Sequence, residues 1–168
     1  MNETLTLRLA RRDDLASVDA LLARSYPRLL AADYPPSVLV TALPIIARAR
    51  PELLASGRYW VVCEADGTVL ASGGWSPGAP AGGALQPGTG HVRHLVCDHR
   101  HTRRGLARQV MTRAMAQAAS EGVRRLDCLS TRTAVPFYAA LGFRTLVEVE
   151  IALRPGIGFP AVRMEREL

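Results

Sequence analysis

Residues 101–108 read His101-Thr102-Arg103-Arg104-Gly105-Leu106-Ala107-Arg108. They follow an apolar run, Val92 to Cys97, that is typical of a strand, and they open a periodic segment that predicts a helix to about Ser120. The first N–H groups of a helix have no partner within the helix, and the helix dipole places positive charge there. A basic, glycine-containing turn between a strand and a helix therefore predicts a phosphate-binding site.

The side chains of this turn suit the same ligand. Arg103, Arg104 and Arg108 would add full charges with forked hydrogen-bond donors. Gly105 has no Cβ, so a phosphate could approach the backbone closely. The turn is neither a Walker loop nor the Gly-x-Gly-x-x-Gly dinucleotide fingerprint. We therefore expect a phosphate-rich small molecule, bound mainly through the backbone.

A second informative segment lies downstream and reads Ala134-Val135-Pro136-Phe137-Tyr138-Ala139-Ala140-Leu141-Gly142-Phe143. It predicts a short helix that ends at Gly142, in the position that glycine favours after a helix, and a strand that starts at Phe143. The two segments together, over about Thr89 to Phe143, carry the strongest functional signal in the chain.

Together they resemble the GNAT superfamily of acyl-CoA-dependent N-acetyltransferases. The first segment resembles that family's (Arg/Gln)-x-x-Gly-x-(Gly/Ala) motif, which cradles the CoA pyrophosphate, and the second its Phe-Tyr-x-x-x-Gly-Phe signature beside the CoA thiol. Two positions depart from the family pattern, since Thr102 replaces the first Arg or Gln and Arg103 replaces a frequent Gly. A third departure is Thr131, where many members place an Asn that touches the pantetheine arm.

The resemblance implies a set of residues that contact acetyl-CoA as the cosubstrate. Backbone groups on the first strand would hold the pantetheine amides and polarise the thioester carbonyl, and the basic turn would hold the pyrophosphate. The expected contacts are Leu95, Val96, Cys97, Thr102, Arg103, Arg104, Gly105, Leu106, Ala107, Arg108 and Thr131.

Acyl transfer from a thioester to an amine requires two proton movements. The amine must lose a proton before it attacks, and the departing thiolate gains one. By resemblance, Tyr138 is the general acid. His91 is our first candidate for the general base, and His94 and Glu64 are alternatives. Strand alternation predicts that His91 and His94 lie on opposite faces.

Two other chemistries compete for the same region. Cys97 could be a nucleophile, but direct transfer needs no acyl-enzyme, so a small apolar strand residue is the favoured interpretation. Zinc is a second alternative, because histidines and a cysteine cluster here, but we expect no metal site. The side chains concerned are His91, His94, Cys97, His99 and His101.

The remaining pattern predicts an α/β (α+β) fold of the GNAT-like acyl-CoA N-acyltransferase type. We expect a mixed, mostly antiparallel sheet of six to seven strands, helices on both faces and a central parallel β-α-β crossover. By resemblance, the two parallel strands splay apart to admit the pantetheine arm. The predicted strands are Thr4–Leu9, Arg58–Glu64, Thr68–Trp75, His91–Cys97, Arg124–Leu129, Phe143–Ile151 and Ala161–Glu167. The predicted helices are Asp13 or Asp14 to Ser25, one or two short ones within Tyr26–Ser56, Arg104–Ser120 and Thr133–Leu141.

Composition limits the classes of function. The chain has 168 residues, 48% of them hydrophobic, which is enough for one domain over 1–168. All 21 basic residues are arginines and the formal net charge is +6, but only 5% of residues are aromatic, so we expect no nucleic-acid partner. No apolar run approaches the length of a membrane span, and the start does not resemble a signal peptide. With three scattered cysteines, a cytoplasmic location is expected.

The sequence thus predicts a single N-acetyltransferase domain that moves an acetyl group from acetyl-CoA directly to a primary amine of a small molecule or peptide. The alternative is a non-catalytic acyl-CoA-binding sensor or regulatory module. Dimers are common in the family, so a homodimer is compatible with the resemblance, although no interface is identified. The residues that should select the amine are Tyr26–Ser56 and the Ser76–Gly90 loop.

Overall fold

The computed structural model describes residues 4–168; the first three residues, on which part of the signal-peptide expectation rests, lie outside the described residues. The strands are β1 (Thr6–Leu9), β2 (Tyr59–Cys63), β3 (Val69–Ser76), β4 (Thr89–Cys97), β5 (Arg125–Ser130), β6 (Arg144–Arg154) and β7 (Ile157–Glu167). The helices are α1 (Leu15–Leu30), α2 (Pro36–Ile46), α3 (Pro51–Leu54), α4 (Leu106–Ser120) and α5 (Val135–Ala140), with a 3₁₀ turn (Arg12–Asp14) before α1.

The strands form one seven-stranded sheet in the order β1-β2-β3-β4-β5-β7-β6. Strands β4 and β5 are parallel and α4 connects them, while the other neighbouring strands pair antiparallel. The predicted α/β architecture, with a mostly antiparallel mixed sheet and a central parallel crossover, is confirmed. Strands β2 and β3 form a hairpin through a turn at Asp66-Gly67.

Residues along a strand point alternately to opposite sides of the sheet. Because the inner strands carry buried apolar side chains on both sides, helices cover both faces of the sheet. On β2, Tyr59, Val61 and Cys63 pack on the side of α1 and α3. Trp60 and Val62 pack on the other side, with α4 and α5. These two clusters form most of the core, and a third one joins α2 to β7. We call the two sides of the sheet the α1 face and the α4 face.

Helix α4 has the buried stripe that its sequence period predicts. Six of its side chains are buried: two are alanines, and for each of the four larger ones burial contributes about 1.5–3 kcal/mol. The six are Leu106, Val110, Met111, Ala114, Met115 and Ala118. The helix is therefore fixed by packing, and its first turn is held at the end of β4.

The first helix differs from its prediction at both ends. It continues through Pro27 to Leu30 instead of ending at Ser25. Pro27 cannot donate a backbone hydrogen bond, but Leu30 is buried in the α2 cluster, and that packing supports the last turn. At the start, Asp14 does not cap α1; its carboxylate accepts hydrogen bonds from Arg8 and from the Arg11 N–H.

The last two strands are longer than predicted. Strand β6 continues to Arg154 and β7 begins at Ile157, so the pair forms a tight hairpin rather than two strands separated by a loop. Alternating burial is weak on β6, which lies at the edge of the sheet and is mostly exposed. The sequence pattern of an edge strand therefore gives little indication of where it ends.

Candidate active site

The parallel strands β4 and β5 are paired over only part of their length. Their register runs from Thr89 opposite Arg125 to His91 opposite Asp127, and no pairing follows within the described chain. From Val92 onward, β4 stays paired with β3 on its other side. Beyond His91, the backbone groups of β4 that are directed toward β5 therefore have no strand partner in the described chain, and an opening separates the two strands.

The opening leads to the N-terminus of α4. The first hydrogen bond at this end runs from the Gln109 N–H to the Gly105 carbonyl, at 3.0 Å. The N–H groups of Leu106, Ala107 and Arg108 precede it and have no acceptor within the helix. Gly105 has φ 77°, and the space where a Cβ would lie is empty to 4 Å. The geometry is that of an open anion-binding helix end.

The basic side chains around this helix end are available for a ligand. Arg103, Arg104 and Arg108 are exposed, and within residues 4–168 none of them forms a hydrogen bond or an ion pair. Arg103 has φ 62°, a left-handed conformation, at the position where the family motif frequently has Gly. The departure from the motif therefore retains the backbone conformation that glycine favours, at some cost in strain.

Strand β4 contains a bulge beside the opening. His94 has φ 44°, and the register with β3 shifts between Ser72 and Gly74. Val92 and Leu95 both pack in the core cluster on the α4 face. The two residues between them, Arg93 and His94, therefore point to the α1 face. The prediction that His91 and His94 lie on opposite faces is therefore wrong, because the bulge interrupts the alternation.

Tyr138 lies on α5, in the core on the α4 face. Its ring makes edge contacts with Phe137 and Phe143, both at 5.3 Å between ring centroids. Burial, and then the neighbouring Cys128 thiol, raise the pKa of Tyr138 well above its ordinary value. The phenol is therefore fully protonated at neutral pH, as a hydrogen-bond donor to a departing thiolate must be.

The three candidates for the general base have different surroundings. His91 is half-buried at the last β4–β5 pair, and burial lowers its pKa below the usual 6.5. Burial together with the charges of Arg50 and Arg93 lowers the pKa of His94 further, to about 4. Both histidines are thus neutral at pH 7. Glu64 follows the end of β2, two strands from the opening, where its charge acts on Arg100.

The cysteines near the opening are protonated thiols. Burial raises the pKa of Cys97 to about 11, and its Sγ lies 3.6 Å from the His101 carbonyl, to which it donates. Burial likewise raises the pKa of Cys128 to about 12. Neither environment generates a thiolate at neutral pH, which is the reactive form. Among residues 4–168, no three metal-ligating side chains are grouped as they would be around a metal ion.

A family model, the Acetyltransferase (GNAT) family, matches residues 20–143, which is more than half of the chain. The chain belongs to the GNAT acetyltransferase family. It is therefore an acyltransferase.

Solved GNAT structures share the whole architecture at low sequence identity. A GCN5-related N-acetyltransferase from Rhodopseudomonas palustris is 18% identical, with a TM-score of 0.77 over 100% of this chain and 99% of that one. PaiA N-acetyltransferase from Thermoplasma acidophilum, in complex with coenzyme A, is 13% identical, with a TM-score of 0.72 over 98% and 99%.

N-acetylglutamate synthase from Neisseria gonorrhoeae, complexed with coenzyme A and N-acetyl-glutamate, is 17% identical, with a TM-score of 0.63 over 100% of this chain and 36% of that one. At these identities the likeness concerns the fold. A search of the curated proteins found no match. In the part of the chain that the structure describes, no helix is long and apolar enough to cross a membrane.

The sequence did not single out Asp98, which ties the loop between β4 and α4 to α1. Its fully buried carboxylate accepts hydrogen bonds from Arg24 Nε at 2.7 Å, Arg100 Nη2 at 3.1 Å and the Arg100 N–H at 2.8 Å. Burial alone would raise the pKa of Asp98, but the bonds from Arg100 and Arg24 lower it below the ordinary range. An acid directly after an apolar strand is the only sequence signal, and it does not reveal Arg24.

A second unpredicted contact holds the α1–α2 turn of this GNAT chain against its other end. The Tyr34 hydroxyl donates to the Pro160 carbonyl at 2.7 Å and accepts from the Arg132 N–H at 2.9 Å. The Tyr34 ring stacks on Phe159 at 4.6 Å between centroids. The irregular segment that should select the amine is thereby fixed to β7 and to the loop before α5. No local pattern indicates contacts of this sequence separation.

Proposed function

We propose that this GNAT chain, as one domain, moves an acetyl group from acetyl-CoA directly to a primary amine. The observation that supports this most is the opening between β4 and β5, which runs from unpaired backbone groups to an open helix end with unpartnered arginines. An extended ligand with a pyrophosphate at one end fits that series of features.

The proposed cofactor contacts are those that the family motif implies, and the open helix end supports them. The pyrophosphate would meet the backbone from Arg104 to Arg108, with Thr102 and Arg103 at its edge. Backbone groups of Leu95, Val96 and Cys97 would hold the pantetheine arm, and the thioester carbonyl would accept a hydrogen bond from one of their N–H groups. Thr131 Oγ1 accepts a hydrogen bond from the Ala134 N–H at 3.2 Å, so it shapes the loop on the β5 side of the opening.

The reaction then needs one bond made and one broken. The neutral amine nitrogen attacks the thioester carbon, the C–N bond forms and the C–S bond breaks. In this proposal, His91 takes the proton from the attacking nitrogen, directly or through water, because it is neutral at pH 7 and lies where the strands part. Tyr138 donates its phenolic proton to the departing sulfur, which leaves as the CoA thiol, and Tyr138 then regains a proton from solvent.

The first test is thermal unfolding with and without saturating acetyl-CoA, beside an equal concentration of ATP as a polyanion control. Ligand at about 100 times its Kd should stabilise the fold by roughly 2.7 kcal/mol, a measurable shift of Tm. A shift with acetyl-CoA alone supports the cradle. Equal shifts with both would make the helix end a generic anion site, and no shift at all would remove the main support.

The alternative, a sensor that binds acyl-CoA without turnover, is tested by thiol release with a panel of amines. We expect turnover in the wild type and a fall of about 10²-fold or more in kcat for Tyr138→Phe, with the acetyl-CoA stabilisation retained. Stabilisation without thiol release from any amine favours the sensor. The homodimer and the cytoplasmic location stay predictions.

A further inference from the structure

Arg93 is a half-buried cation without an anionic partner. It lies on β4 and points to the α1 face, where its Nη1 donates to Ser76 Oγ at 3.0 Å. Its Nε is buried and has no hydrogen-bond partner within residues 4–168, and no carboxylate there lies within ion-pair distance. A guanidinium removed from water is normally satisfied by an anion or by several acceptors, so Arg93 has unused donor capacity.

Two further basic groups stand beside it. The β4 bulge places His94 next to Arg93 on the same face, and the Tyr59 hydroxyl fixes the bulge by donating to the His94 carbonyl at 2.9 Å. Burial lowers the pKa of both Arg93 and His94, and the charge of Arg50, which precedes α3, lowers both further. We call Arg50, Arg93 and His94 the Arg93 cluster. The acid that acts on Arg93 is Glu52, which is exposed.

The Arg93 cluster borders the reaction site. Arg93 is two residues beyond His91, where β4 leaves β5, so it stands at the rim of the opening on the α1 face. Two phenols, Tyr26 and Tyr59, also pack on the α1 face, and burial raises the pKa of Tyr59 well above its ordinary value. Burial raises the pKa of Tyr26 to about 12, so this phenol is neutral. An amine that reaches the thioester from the α1 face therefore passes a region of net positive charge.

We propose that the amine acceptor is a small molecule that also carries an oxyanion, a carboxylate or a phosphate, bound by Arg93 with help from Arg50. This inference rests on the proposed acetyl transfer. The forked donors of a guanidinium match both kinds of oxyanion, and a bound oxyanion satisfies the Arg93 Nε that the chain leaves open. The same charge disfavours polyamines and other acceptors without a negative group.

The test compares matched amines. Each L-amino acid is assayed beside its C-terminal amide, and O-phosphoethanolamine beside ethanolamine, with spermidine as a polycation. The variants are Arg93→Gln, which removes the charge, and Arg93→Lys, which retains it. The control is Arg12→Gln, an exposed arginine in the 3₁₀ turn before α1 that is part of neither the Arg93 cluster nor the opening. Acetyl-CoA stabilisation is measured for every variant and reports on the cradle separately.

We expect at least one oxyanion-bearing amine to exceed its neutral partner by about 10²-fold in kcat/KM. Arg93→Gln should abolish that preference, Arg93→Lys should keep part of it, and Arg12→Gln should leave it unchanged. The carboxylate and phosphate arms identify which oxyanion is recognised. Preference for spermidine or the amides, or a preference that survives in Arg93→Gln, would overturn the inference while leaving acetyl transfer intact.

A binding measurement covers the case in which no amine turns over. Thermal unfolding with each oxyanion-bearing amine, in the presence of coenzyme A, should show a stabilisation in the wild type that Arg93→Gln loses. If none of these amines stabilises the wild type more than Arg93→Gln, the oxyanion site does not exist. If the amines stabilise but thiol is never released, the oxyanion site stands and the proposed acetyl transfer fails.

Discussion

Gly105 combines two features that only the folded chain reveals, a left-handed φ of 77° and an empty space where its Cβ would be. Gly105→Ala should cost about 1–2 kcal/mol in stability, because the conformation is strained for any residue with a Cβ. It should also lower the affinity for acetyl-CoA by about 10-fold or more, since the methyl group occupies space that the pyrophosphate needs. Chemical denaturation and calorimetry measure the two effects.

Gly122 provides the matched control at the opposite end of α4. It has φ 89°, and the space where its Cβ would lie is equally empty. Gly122→Ala should therefore lose similar stability without loss of acetyl-CoA affinity. Equal affinity losses in the two variants would mean that Gly105 acts through the stability of the helix and not through contact with the ligand.

His91 makes a prediction about pH dependence. Burial lowers its pKa, so the neutral form that can accept a proton is lost only as pH falls below about 6.5. For an enzyme that uses His91 as the base, kcat/KM should decline through an ionisation below that pH. His91→Gln should remove this ionisation and lower the rate by about 10²-fold.

The same profile distinguishes His94. Its pKa of about 4 places its ionisation at the acid end of the range, where the fold itself loses stability. An ionisation near pH 4 that persists in His91→Gln, together with a larger rate loss in His94→Gln, would move the role of the base to His94.

At the level of elements, Asp98 joins α1 to the loop that precedes α4. Asp98→Asn leaves Arg24 and Arg100 without their carboxylate and should lower stability at pH 7 by about 1–3 kcal/mol. The folded-state pKa of Asp98 is depressed, so its contribution is present above the ordinary carboxyl pKa near 3.9 and is lost as pH falls below it. Denaturation at several pH values should therefore show that the free energy of unfolding falls less steeply toward acid pH in the variant than in the wild type.

Asp13 offers the control for that experiment, because it is an exposed acid in the 3₁₀ turn before α1. Asp13→Asn should change stability by no more than about 0.5 kcal/mol and should leave the acid decline unchanged. If Asp98→Asn retains the steep decline of the wild type, other carboxylates account for the pH dependence, and the link between α1 and the cradle loop contributes little.

At the level of the whole molecule, Tyr34 connects the α1–α2 turn to β7 and to the loop before α5. Tyr34→Phe keeps the stacking on Phe159 but removes the hydroxyl that bonds to Pro160 and Arg132. We expect a stability loss of about 1–2 kcal/mol and a several-fold rise in KM for the amine. Acetyl-CoA stabilisation should change less, since the Tyr34 hydroxyl contacts none of the residues expected to hold the pyrophosphate.

The comparison of the two KM values decides this last prediction. If KM for acetyl-CoA rises as much as KM for the amine, Tyr34 supports the fold in general. If neither changes, the α1–α2 turn is held adequately by its apolar contacts, and its hydroxyl bonds do not shape the amine site.

Local sequence determined those elements of this protein whose conformation depends on neighbouring residues. The strand, basic turn and helix from Val92 to Ser120 are predictable because helical periodicity and glycine placement are properties of neighbouring residues. The family motifs at Gly105 and Tyr138 lie in such segments, so the GNAT fold and the enzyme class are predictable as well.

Tertiary structure alone decided what depends on distant residues. The bulge at His94 is held by Tyr59 from another strand, and it changes which face His94 occupies. Asp98 acquires its role from Arg24, and Tyr34 from Pro160, across 74 and 126 residues of sequence. In the sequence, Arg93 does not differ from any other strand arginine, and only the folded structure shows that its side chain is half-buried. Such features arise from packing between segments, and no pattern within one segment encodes them.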